Sequence, residues 1–265
     1  MRLITINSNE MDKSIKTKEI LIEKLKNKGF LVSETIKKNT ELIISIGGDG
    51  SFLKTVKDFN FPNIPIVAIN TGHLGFFAEL DPDGIDEFLS IYENKEYFIQ
   101  NITCLSTTIF TKKESVNISS VNEAVIRNIY SRTIHLSIKV NERKIQNFSG
   151  DGILISTPIG STAYNYSAGG SIVDPALDVL QLTPLAPMNT TAYRSFTSSI
   201  VLPCDYEISL IPENNFENTI LIVADGVEYK FDEIEYIKIK KSDEKILLLR
   251  KNNYEFWSRA CEKFI

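Results

Sequence analysis

The feature that most constrains the fold is a change in sequence pattern near residue 100. Up to that point, short apolar runs alternate with segments in which apolar residues recur at helical spacing. Strands that alternate with helices imply right-handed crossovers and a parallel sheet covered by helices on both faces. The predicted elements are strands at 2–6, 30–32, 42–46 and 66–69 and helices at 11–25, 51–59 and 83–92. Residues 1–99 are therefore expected to form a doubly wound α/β domain.

Beyond residue 100, β-branched or alternating segments follow one another closely, which is typical of an antiparallel β-sandwich. The predicted strands are 107–111, 121–127, 135–140, 152–157, 199–202, 207–211, 219–223, 236–240 and 246–249. Residues 141–144 are predicted to close a hairpin. We expect residues 100–251 to form this second domain. Residues 254–265 carry apolar side chains at helical spacing and are expected to form a terminal helix that docks on another part of the protein.

Charge, hydropathy and cysteine usage exclude several classes of protein. The net charge of −5 argues against a nucleic-acid partner, which normally requires a basic face. No apolar run approaches the ~20 residues that a membrane span needs, and the first residues lack the apolar stretch of a signal peptide. Three scattered cysteines form neither a disulfide framework nor a CxxC metal pair. We therefore expect a cytoplasmic protein without nucleic-acid or membrane partners.

A glycine-rich segment, Gly47-Gly48-Asp49-Gly50, follows a predicted buried strand and leads at once into a predicted helix. The carboxyl end of a parallel strand is where α/β folds bind ligands. Glycines let a phosphate chain approach the backbone, and the N–H groups at the start of the helix are available to it. The segment therefore indicates a phosphate site, although it matches neither GxxxxGK[ST] nor GxGxxG.

Asp49 needs a role of its own, because a carboxylate beside a phosphate site repels the phosphate. It can accept a proton from an attacking hydroxyl group, or it can help to hold Mg²⁺. A purely structural alternative is a glycine turn in which Asp49 caps the N-terminus of the helix.

Residues 70–77, Asn-Thr-Gly-His-Leu-Gly-Phe-Phe, follow the next predicted strand and so reach the same edge of the sheet. Phe76 or Phe77 is a candidate wall for a nucleotide pocket. His73 is a candidate general base, but a lone histidine in a tight loop is more often structural. The segment is expected to lie beside Gly47 and its neighbours.

Three further segments carry polar groups that suit a nucleoside. Asn122-Glu123 offers an amide and a carboxylate within a predicted strand, although an exposed edge strand explains the pair equally well. Residues 150–170 run from a strand into a loop rich in Ser, Thr, Tyr and Gly. The loop could be a purely structural Ω-type loop, but so many hydroxyl groups favour a role in binding adenine and ribose. Asp225-Gly226 reads first as a hairpin turn.

Taken together, these segments resemble the NAD kinase family. The matching segments occur in the family's order and are 47–50, 70–76, 122–123, 150–151, 156–164, 167–170 and 225–226. The GGDG segment alone is shared with diacylglycerol kinases, sphingosine-type lipid kinases and phosphofructokinases. Residues 156–170 are far more particular to NAD kinases and decide the assignment.

The resemblance implies roles for individual residues. Asp49 resembles the catalytic aspartate that orients and deprotonates the 2′-hydroxyl of the adenosine ribose, and Asn122 and Glu123 resemble the adenosine-binding pair. The phosphate contacts implied are Gly47, Gly48, Gly50 and Lys54. Asp49 and Gly50 are also implied to contact NAD, and Phe76 to form a wall of its pocket. The other NAD contacts implied are Asp151, Thr162, Ala163, Tyr164, Ser167 and Ala186.

The resemblance also implies a reaction and its partners. A phosphoryl group passes from ATP or polyphosphate to NAD, giving NADP, with Mg²⁺ held mainly by the nucleotide because no dedicated carboxylate cage is visible. The family forms homodimers or homotetramers in which neighbouring subunits contribute to the NAD site, with the nucleotide cleft between the domains and the C-terminal segment, about 252–265, returned to the N-terminal domain. Two residues depart from the family pattern: Ser51 replaces a usual Thr, and Ser149 stands where several relatives carry Arg or Lys.

Two alternative functions remain open at this point. One is a different GGDG kinase that acts on a lipid or a sugar, although the acidic sequence offers no obvious membrane-binding surface. The other is a regulator that binds NAD without turnover, which would require damage around Asp49 that the sequence does not display.

Overall fold

The structure is a computed structural model that describes residues 2–130, 132–189, 191, 194–213 and 219–265. It divides into two compact units: Met1–Ile102 with Glu244–Ile265, and Thr103–Asp243. The sequence pattern predicts boundaries after residue 99 and before residue 252, whereas these units divide after residue 102 and before residue 244. Within the described ranges, no helix has the combination of length and apolar composition that crossing a membrane requires.

The elements alternate in the first part of the chain and are almost all strands in the second. In chain order the first part contains β1 (Leu3–Ser8), α1 (Asp12–Asn27), β2 (Leu31–Ser33), β3 (Thr40–Gly47), α2 (Asp49–Asp58), β4 (Ile66–Asn70), β5 (Ala78–Leu80) and α3 (Ile85–Asn94). The rest contains β6 (Tyr97–Thr111), β7 (Ser115–Ser120), β8 (Glu123–Asn128), β9 (Ile134–Val140), β10 (Arg143–Gly150), β11 (Gly152–Ser156), α4 (Tyr164–Ser167), β12 (Val179–Leu185), β13 (Ile200–Pro203), β14 (Ile208–Pro212), β15 (Thr219–Ala224), β16 (Val227–Asp232), β17 (Ile234–Lys251) and α5 (Phe256–Phe264). Short 3₁₀ turns occur at Pro82–Gly84 and Ile159–Thr162.

The first unit is the predicted doubly wound α/β domain. Its parallel strands run in the order β2-β1-β3-β4, with β5 beside β4. Helices α1 and α3 join one apolar cluster with the strands, whereas Phe52 of α2 stacks on Phe77 at 4.4 Å outside that cluster. The register pairs Gly47 with Asn70, so the carboxyl ends of β3 and β4 meet at one edge.

The second unit is the predicted β-sandwich. One sheet has the strand order β13-β12-β11-β8-β15-β16, and the facing layer contains β10-β9-β14 with parts of β6, β7 and β17. A single apolar cluster draws residues from both layers, including Ile126 and Ile153 from one and Leu136 and Leu210 from the other. The alternation of apolar and polar residues along these strands gives each layer one inward face.

The last two predicted strands, 236–240 and 246–249, are wrong as separate elements. They form one continuous strand, β17, and the boundary between the two units falls within it. The polar residues between the two predicted strands interrupt the apolar pattern, but none of them is Gly or Pro, so nothing in the backbone requires the strand to end.

Strand β12 was not predicted, because it lies in a region that reads as loop-rich. Its sequence carries Pro184 and alternates apolar and polar side chains. Leu180 and Leu182 enter the apolar cluster, while Gln181 and Thr183 bond to residues of the preceding loop. The polar positions therefore have partners that local sequence does not reveal.

Both predicted hairpins are confirmed. Val140 pairs with Arg143 around Asn141 and Glu142, whose φ angles are 46° and 63°. Ala224 pairs with Val227 around Asp225 and Gly226, which also have positive φ. Two central residues with positive φ define the type I′ turn that suits the twist of paired strands.

Glu142 is the strained position of the first hairpin, because a residue with a Cβ atom is disfavoured in the left-handed region. We expect Glu142→Gly to raise the free energy of unfolding by roughly 0.5 kcal/mol, the strain relieved being partly offset by the greater freedom of glycine in the unfolded chain. Denaturant titration of the variant and the parent measures the difference.

Glu142→Ala is the matched control for this substitution. It also removes the exposed 3.6 Å ion pair between Glu142 and Lys238, but it keeps a Cβ atom at positive φ. We expect no gain from alanine. Equal stability of the glycine and alanine variants would show that backbone strain at this turn is negligible.

Candidate functional site

The glycine-rich segment lies at the junction of β3 and α2, as predicted. Gly48 is the N-cap of α2, and no side chain caps this terminus. Asp49 is the first residue of the helix, so the alternative in which Asp49 is the N-cap is wrong. Its carboxylate instead accepts hydrogen bonds from residues 76–78.

The glycines of this segment fall into two kinds. At Gly47, φ is +148° and an added Cβ atom would lie 2.1 Å from Ser51 Oγ and 2.7 Å from Asn9 Nδ2, so the fold itself requires glycine. At Gly48 and Gly50, an added Cβ atom would meet nothing within 4 Å and φ is not positive. The fold does not require glycine at these two positions, and the space beside their backbone is open to a ligand.

Asp49 anchors the loop that joins β4 to β5. Its Oδ2 accepts the N–H of Phe76 at 2.8 Å, and its Oδ1 accepts the N–H groups of Phe77 at 2.9 Å and Ala78 at 3.4 Å. An added Cβ atom at Gly75 would lie 2.2 Å from Oδ1, so only glycine permits this approach. Each carboxylate oxygen accepts about two hydrogen bonds, which leaves one position open on Oδ2.

The two phenylalanines of this loop are buried in the first unit. The Phe76 ring packs against the rings of Phe256 and Phe264 of α5, at centroid distances of 5.6 and 6.0 Å. Phe77 stacks on Phe52. His73, the other residue singled out here, is exposed to solvent.

Lys54 lies one helical turn after Gly50, so the two residues share a face of α2. Its ammonium group is exposed and pairs with Asp58 at 2.5 Å. Sequence reasoning did not identify Asn9, whose side chain bonds to Ser51 Oγ at 2.9 Å and fixes the start of the helix. Only the proximity of β1 and β3 brings Asn9 there, so no local pattern marks it.

Asn122 and Glu123 lie at the start of β8, which is an interior strand between β11 and β15. The alternative that places this pair on an exposed edge strand is therefore wrong. Asp225 organises the segment: its carboxylate accepts the N–H groups of Val121 at 2.6 Å, Asn122 at 2.7 Å and Glu123 at 3.3 Å. The hairpin turn at Asp225 thus also positions the Asn-Glu pair.

Two buried oxygens at this position have no hydrogen-bond partner among the described residues: Asn122 Oδ1 and Glu123 Oε2. Buried polar atoms in native proteins are normally paired, so these two are candidate contacts for a ligand. Burial, and secondarily the negative charge of Asp225, raise the pKa of the Glu123 carboxyl to about 8. A neutral carboxyl group can donate as well as accept a hydrogen bond.

The loop after β11 is fixed on top of the Asn-Glu pair. Thr157 donates from Oγ1 to the carbonyl of Val121, and an added Cβ atom at Gly160 would lie 2.1 Å from the carbonyl oxygen of Asn122. Asn165, which is fully buried, accepts the hydroxyl of Thr183 at 2.6 Å. These contacts hold the segment carrying Thr162, Ala163, Tyr164 and Ser167 next to Asn122.

These four predicted contacts differ in exposure. Thr162 is buried and Ala163 half-buried, whereas Tyr164 and Ser167 are exposed. Tyr164 as a whole retains 45% of its accessible surface, which leaves it free to contact a ligand.

Asp151 and Ala186 lie at the other end of β11. The N–H of Asp151 donates to the carbonyl of Leu185 at 2.9 Å, and an added Cβ atom at Gly150 would lie 2.9 Å from the carbonyl oxygen of Ala186. Glu123, by contrast, pairs with Ser156 at the far end of the strand. Five residues of extended strand span about 17 Å, so the structure does not bring these two groups together within one chain.

The described residues contain no group of three or more His, Cys, Asp or Glu side chains arranged to hold a metal ion. The three cysteines Cys104, Cys204 and Cys261 are free.

The raised pKa of Glu123 makes stability depend on pH with a definite sign. In the unfolded chain the carboxyl loses its proton near 4.5, but in the folded protein it keeps it until about 8. The folded state binds more protons between these values, so stability falls as the pH rises through this window. We expect Glu123→Gln to be more stable than the parent by roughly a few kcal/mol above about pH 8, and no more stable near about pH 4.

Denaturant titration across this pH range measures the effect. Glu228→Gln is the matched control, because Glu228 is an exposed glutamate on β16 in the same unit, and we expect no comparable pH-dependent gain from it. A stability difference for Glu123→Gln that does not change with pH would contradict a buried, neutral carboxyl group.

Sequence comparisons assign both parts of the chain to one family. Residues 3–97 match the model described as "ATP-NAD kinase N-terminal domain", and residues 121–251 match the "ATP-NAD kinase C-terminal domain". The NAD kinase of Finegoldia magna is 37% identical over all of this chain and 98% of its own length. The NAD kinase of Streptococcus gordonii is 31% identical over 99% of this chain and 95% of its own length.

Solved structures share the fold at lower identity. Yeast NADH kinase complexed with NADH superposes with a TM-score of 0.85 at 20% identity, covering 99% of this chain and 87% of its own. An NAD kinase from Archaeoglobus fulgidus in complex with ATP gives a TM-score of 0.76 at 24% identity, covering 95% of this chain and 94% of its own. The alternatives of a lipid or sugar kinase and of a non-catalytic regulator gain no support from these relatives. Both domains, matched in order and over nearly the full length, place the chain in the NAD kinase family.

Proposed function

We propose that this NAD kinase transfers the γ-phosphoryl group of ATP, or a phosphoryl group of polyphosphate, to the 2′-hydroxyl of the adenosine ribose of NAD, with Asp49 as general base. One observation carries the proposal. Three backbone N–H groups fix the Asp49 carboxylate beside glycines whose open side leaves room for phosphates, and one acceptor position on Oδ2 stays available.

The chemistry requires a base at this position because a sugar hydroxyl is a poor nucleophile. Asp49 Oδ2 accepts the hydrogen bond of the 2′-hydroxyl and orients its oxygen toward the phosphorus atom. As the new O–P bond forms, the proton passes to Oδ2 and the bond to the leaving phosphate breaks. The N–H donors on the other acceptor positions keep the carboxylate from rotating away.

The start of α2 is the proposed phosphate site. The N–H groups of Ser51 and Phe52 donate to the carbonyl of Gly48, so the proposed donors to an incoming anion are those of Asp49 and Gly50 at the first two helical positions. The open sides of Gly48 and Gly50 let that anion approach. Gly47 contributes by holding the turn. Lys54, on the same face as Gly50, neutralises charge that develops on the phosphoryl group once it leaves Asp58.

Mg²⁺ is proposed to enter with the nucleotide. The ion prefers oxygen ligands, keeps several waters and is commonly bound through one or two carboxylates together with substrate phosphates. The open position on Asp49 Oδ2 suits such an ion only when the hydroxyl does not occupy it, so we assign Asp49 to the hydroxyl. When bound, the ion neutralises charge on the phosphates.

The adenosine part of NAD is proposed to occupy the Asn122-Glu123 site. Asn122 Oδ1 is an acceptor without a partner, and the neutral Glu123 carboxyl supplies a donor, so together they match ribose hydroxyls and ring nitrogens. The exposed ring of Tyr164 and the segment from Thr162 to Ser167 complete the proposed pocket. Phe76 stays a pocket-wall prediction from the resemblance, since its ring packs under α5.

The position of Asp151 and Ala186 supports self-association as a homodimer or homotetramer. Strand β11, which separates them from Glu123, is buried throughout, so a ligand has no surface along it on which to join the two groups. We propose that Asp151 and Ala186 of one subunit complete the NAD site of its neighbour. A shared site of this kind requires an oligomer for activity.

The general-base assignment predicts that Asp49→Asn lowers kcat for NADP formation by at least about 1,000-fold, because the amide cannot take the proton. NAD binding is expected to be retained, since an amide oxygen still accepts a hydrogen bond from the 2′-hydroxyl and the other proposed adenosine contacts lie in the second unit. Steady-state assays with ATP, Mg²⁺ and NAD, together with calorimetric titration of NAD, measure the two effects.

Asp86→Asn is the control, because Asp86 lies at the start of α3 and makes only an exposed ion pair with Lys24. It is expected to leave kcat unchanged. Full activity of Asp49→Asn would place the base elsewhere, and absence of NADP formation by the parent protein would refute the proposed reaction itself.

The shared site predicts that two inactive variants complement each other. Glu123→Ala and Asp151→Ala are each expected to lose most activity alone, since each homo-oligomer carries one defect in every site. Co-expression gives mixed oligomers in which some sites contain both native residues. For random pairing in a dimer, about one quarter of all sites are restored.

Affinity tags on the two chains allow purification of the mixed oligomer before the assay. Activity of the purified mixed dimer equal to the mean of the two separate variants would mean that each subunit holds a complete site. Activity near half of the parent's supports the shared site, because one of the two sites in each mixed dimer carries both native residues.

A further inference from the structure

The loop held by Asp49 is bonded on its other side by three cationic side chains from the end of the chain. Lys263 Nζ donates to the carbonyl of Leu74 at 2.8 Å. Arg259 donates from Nε to the carbonyl of Gly75 at 3.0 Å and from Nη2 to that of Ala78 at 3.1 Å. Arg250 donates from Nη2 to the carbonyl of Phe76 at 2.9 Å. The N–H groups of this loop thus face a carboxylate while its carbonyl groups face cations.

Two of these cations are connected to Asp49 by a single peptide group. The carbonyl of Gly75 and the N–H of Phe76 belong to one peptide group, which accepts from Arg259 and donates to Asp49 Oδ2. The carbonyl of Phe76 and the N–H of Phe77 belong to the next one, which accepts from Arg250 and donates to Asp49 Oδ1. We call these two the peptide bridges.

Each peptide bridge affects both the position of the Asp49 carboxylate and the stability of its negative charge. A guanidinium group that binds a carbonyl polarises the whole amide, which makes its N–H a stronger donor to the carboxylate beyond. The stronger the donor, the more narrowly the carboxylate is held and the better its charged form is stabilised. Such chains gain strength away from water.

The surroundings of Arg250 fit this role. Its side chain is fully buried, bonds to Gln100 at 2.9 Å and Glu79 at 3.3 Å, and lies 3.7 Å from the Tyr254 ring centroid. A buried cation is expensive to desolvate, and burial lowers the pKa of Arg250 despite these neighbours. Replacement by an apolar residue would leave Glu79 poorly paired.

We propose that Arg259 and Arg250 are positioning residues of the kinase reaction, acting on Asp49 through the two peptide bridges. Neither needs to touch substrate. The C-terminal helix thereby fixes where the base stands and how readily it takes a proton. The inference rests on the proposed role of Asp49 as general base.

Arg259 is the residue to test, because it lies near the surface and its side chain is 18% exposed. Arg259→Met removes the charge and both carbonyl bonds. We expect kcat to fall roughly 10- to 100-fold, as when an outer partner of a catalytic group is lost, with the KM values for NAD and ATP changed less than about twofold. The acidic limb of the pH–kcat profile is expected to move to higher pH, because the Asp49 carboxylate is then less stabilised.

The other charged groups around Asp49 stay in place in this variant. They are Arg250 and Glu79 beside the loop, the Tyr254 hydroxyl, and Lys263 on α5, whereas Glu262 loses its 3.6 Å ion pair with Arg259. A shift of the pH profile in the variant is therefore attributable to the loss of Arg259.

Lys263→Met is the matched control. Lys263 extends from the same helix to the same loop, but the peptide group it contacts, Leu74 to Gly75, is not one of those that donate to Asp49. We expect kcat and the pH profile of this variant to match the parent. Arg259→Lys, which keeps the charge, is expected to recover a large part of the lost kcat.

Circular dichroism and thermal melts establish that each variant is folded at the assay temperature. If Arg259→Met does not fold, Arg259→Gln replaces it, because glutamine keeps a donor but loses the charge, and the same fall in kcat and shift in pH profile are expected. A folded neutral variant with the parent's kcat and pH profile overturns the inference, as does an equal loss in Lys263→Met. If the parent itself forms no NADP, the proposed function fails instead, so the two failures are distinguishable.

Discussion

In both units, one aspartate carboxylate accepts three consecutive backbone N–H groups. Asp49 binds those of residues 76–78, and Asp225 binds those of residues 121–123. A backbone N–H group that donates to a carboxylate needs neither a water molecule nor a strand partner. A loop can therefore be fixed at the edge of a sheet without regular β-sheet hydrogen bonds. Apart from Asp151 and Ala186, the proposed contacts with substrate lie within or beside one of these two anchors or the loops packed on them. These hydrogen bonds are therefore the constraint on which the rest of the site depends.

The glycines separate what the fold needs from what a ligand needs. Gly75 and Gly160 are required by the protein's own atoms, since a Cβ atom would lie within 2.2 Å of Asp49 and of Asn122 respectively. At Gly48 and Gly50, an added Cβ atom would meet none of the described atoms within 4 Å. A residue type that carries an entropic penalty in folding, yet is not required by any contact, points to the approach of something outside the chain. For this reason we place the phosphates beside Gly48 and Gly50 rather than beside Gly75.

Sequence reasoning reached the fold class, both hairpins and the segments that carry the family resemblance, because periodicity and turn chemistry are local. It missed what depends on distant partners. Arg259 bonds to Gly75 across 184 positions and Asp225 to Val121 across 104, and no local pattern encodes such separations. Arg250 reads as the polar end of an apolar strand, yet it is fully buried. Strand β12 was overlooked for the same reason, since its polar side chains have partners in a loop.

Two carboxyl groups of the proposed site are in opposite environments. Among the described residues, Asp49 accepts hydrogen bonds from backbone N–H groups, two of which belong to peptide groups that also bind a guanidinium group. These donors hold the carboxylate in place for the hydroxyl from which it takes a proton. Glu123 is buried beside another carboxylate with one oxygen unpaired, so it holds its proton to about pH 8. Two carboxyl groups in such different environments are suited to different chemical roles. We therefore assign the reaction to Asp49, and to Glu123 the recognition of a hydroxyl or ring nitrogen without a negative charge of its own beside a phosphorylated ligand.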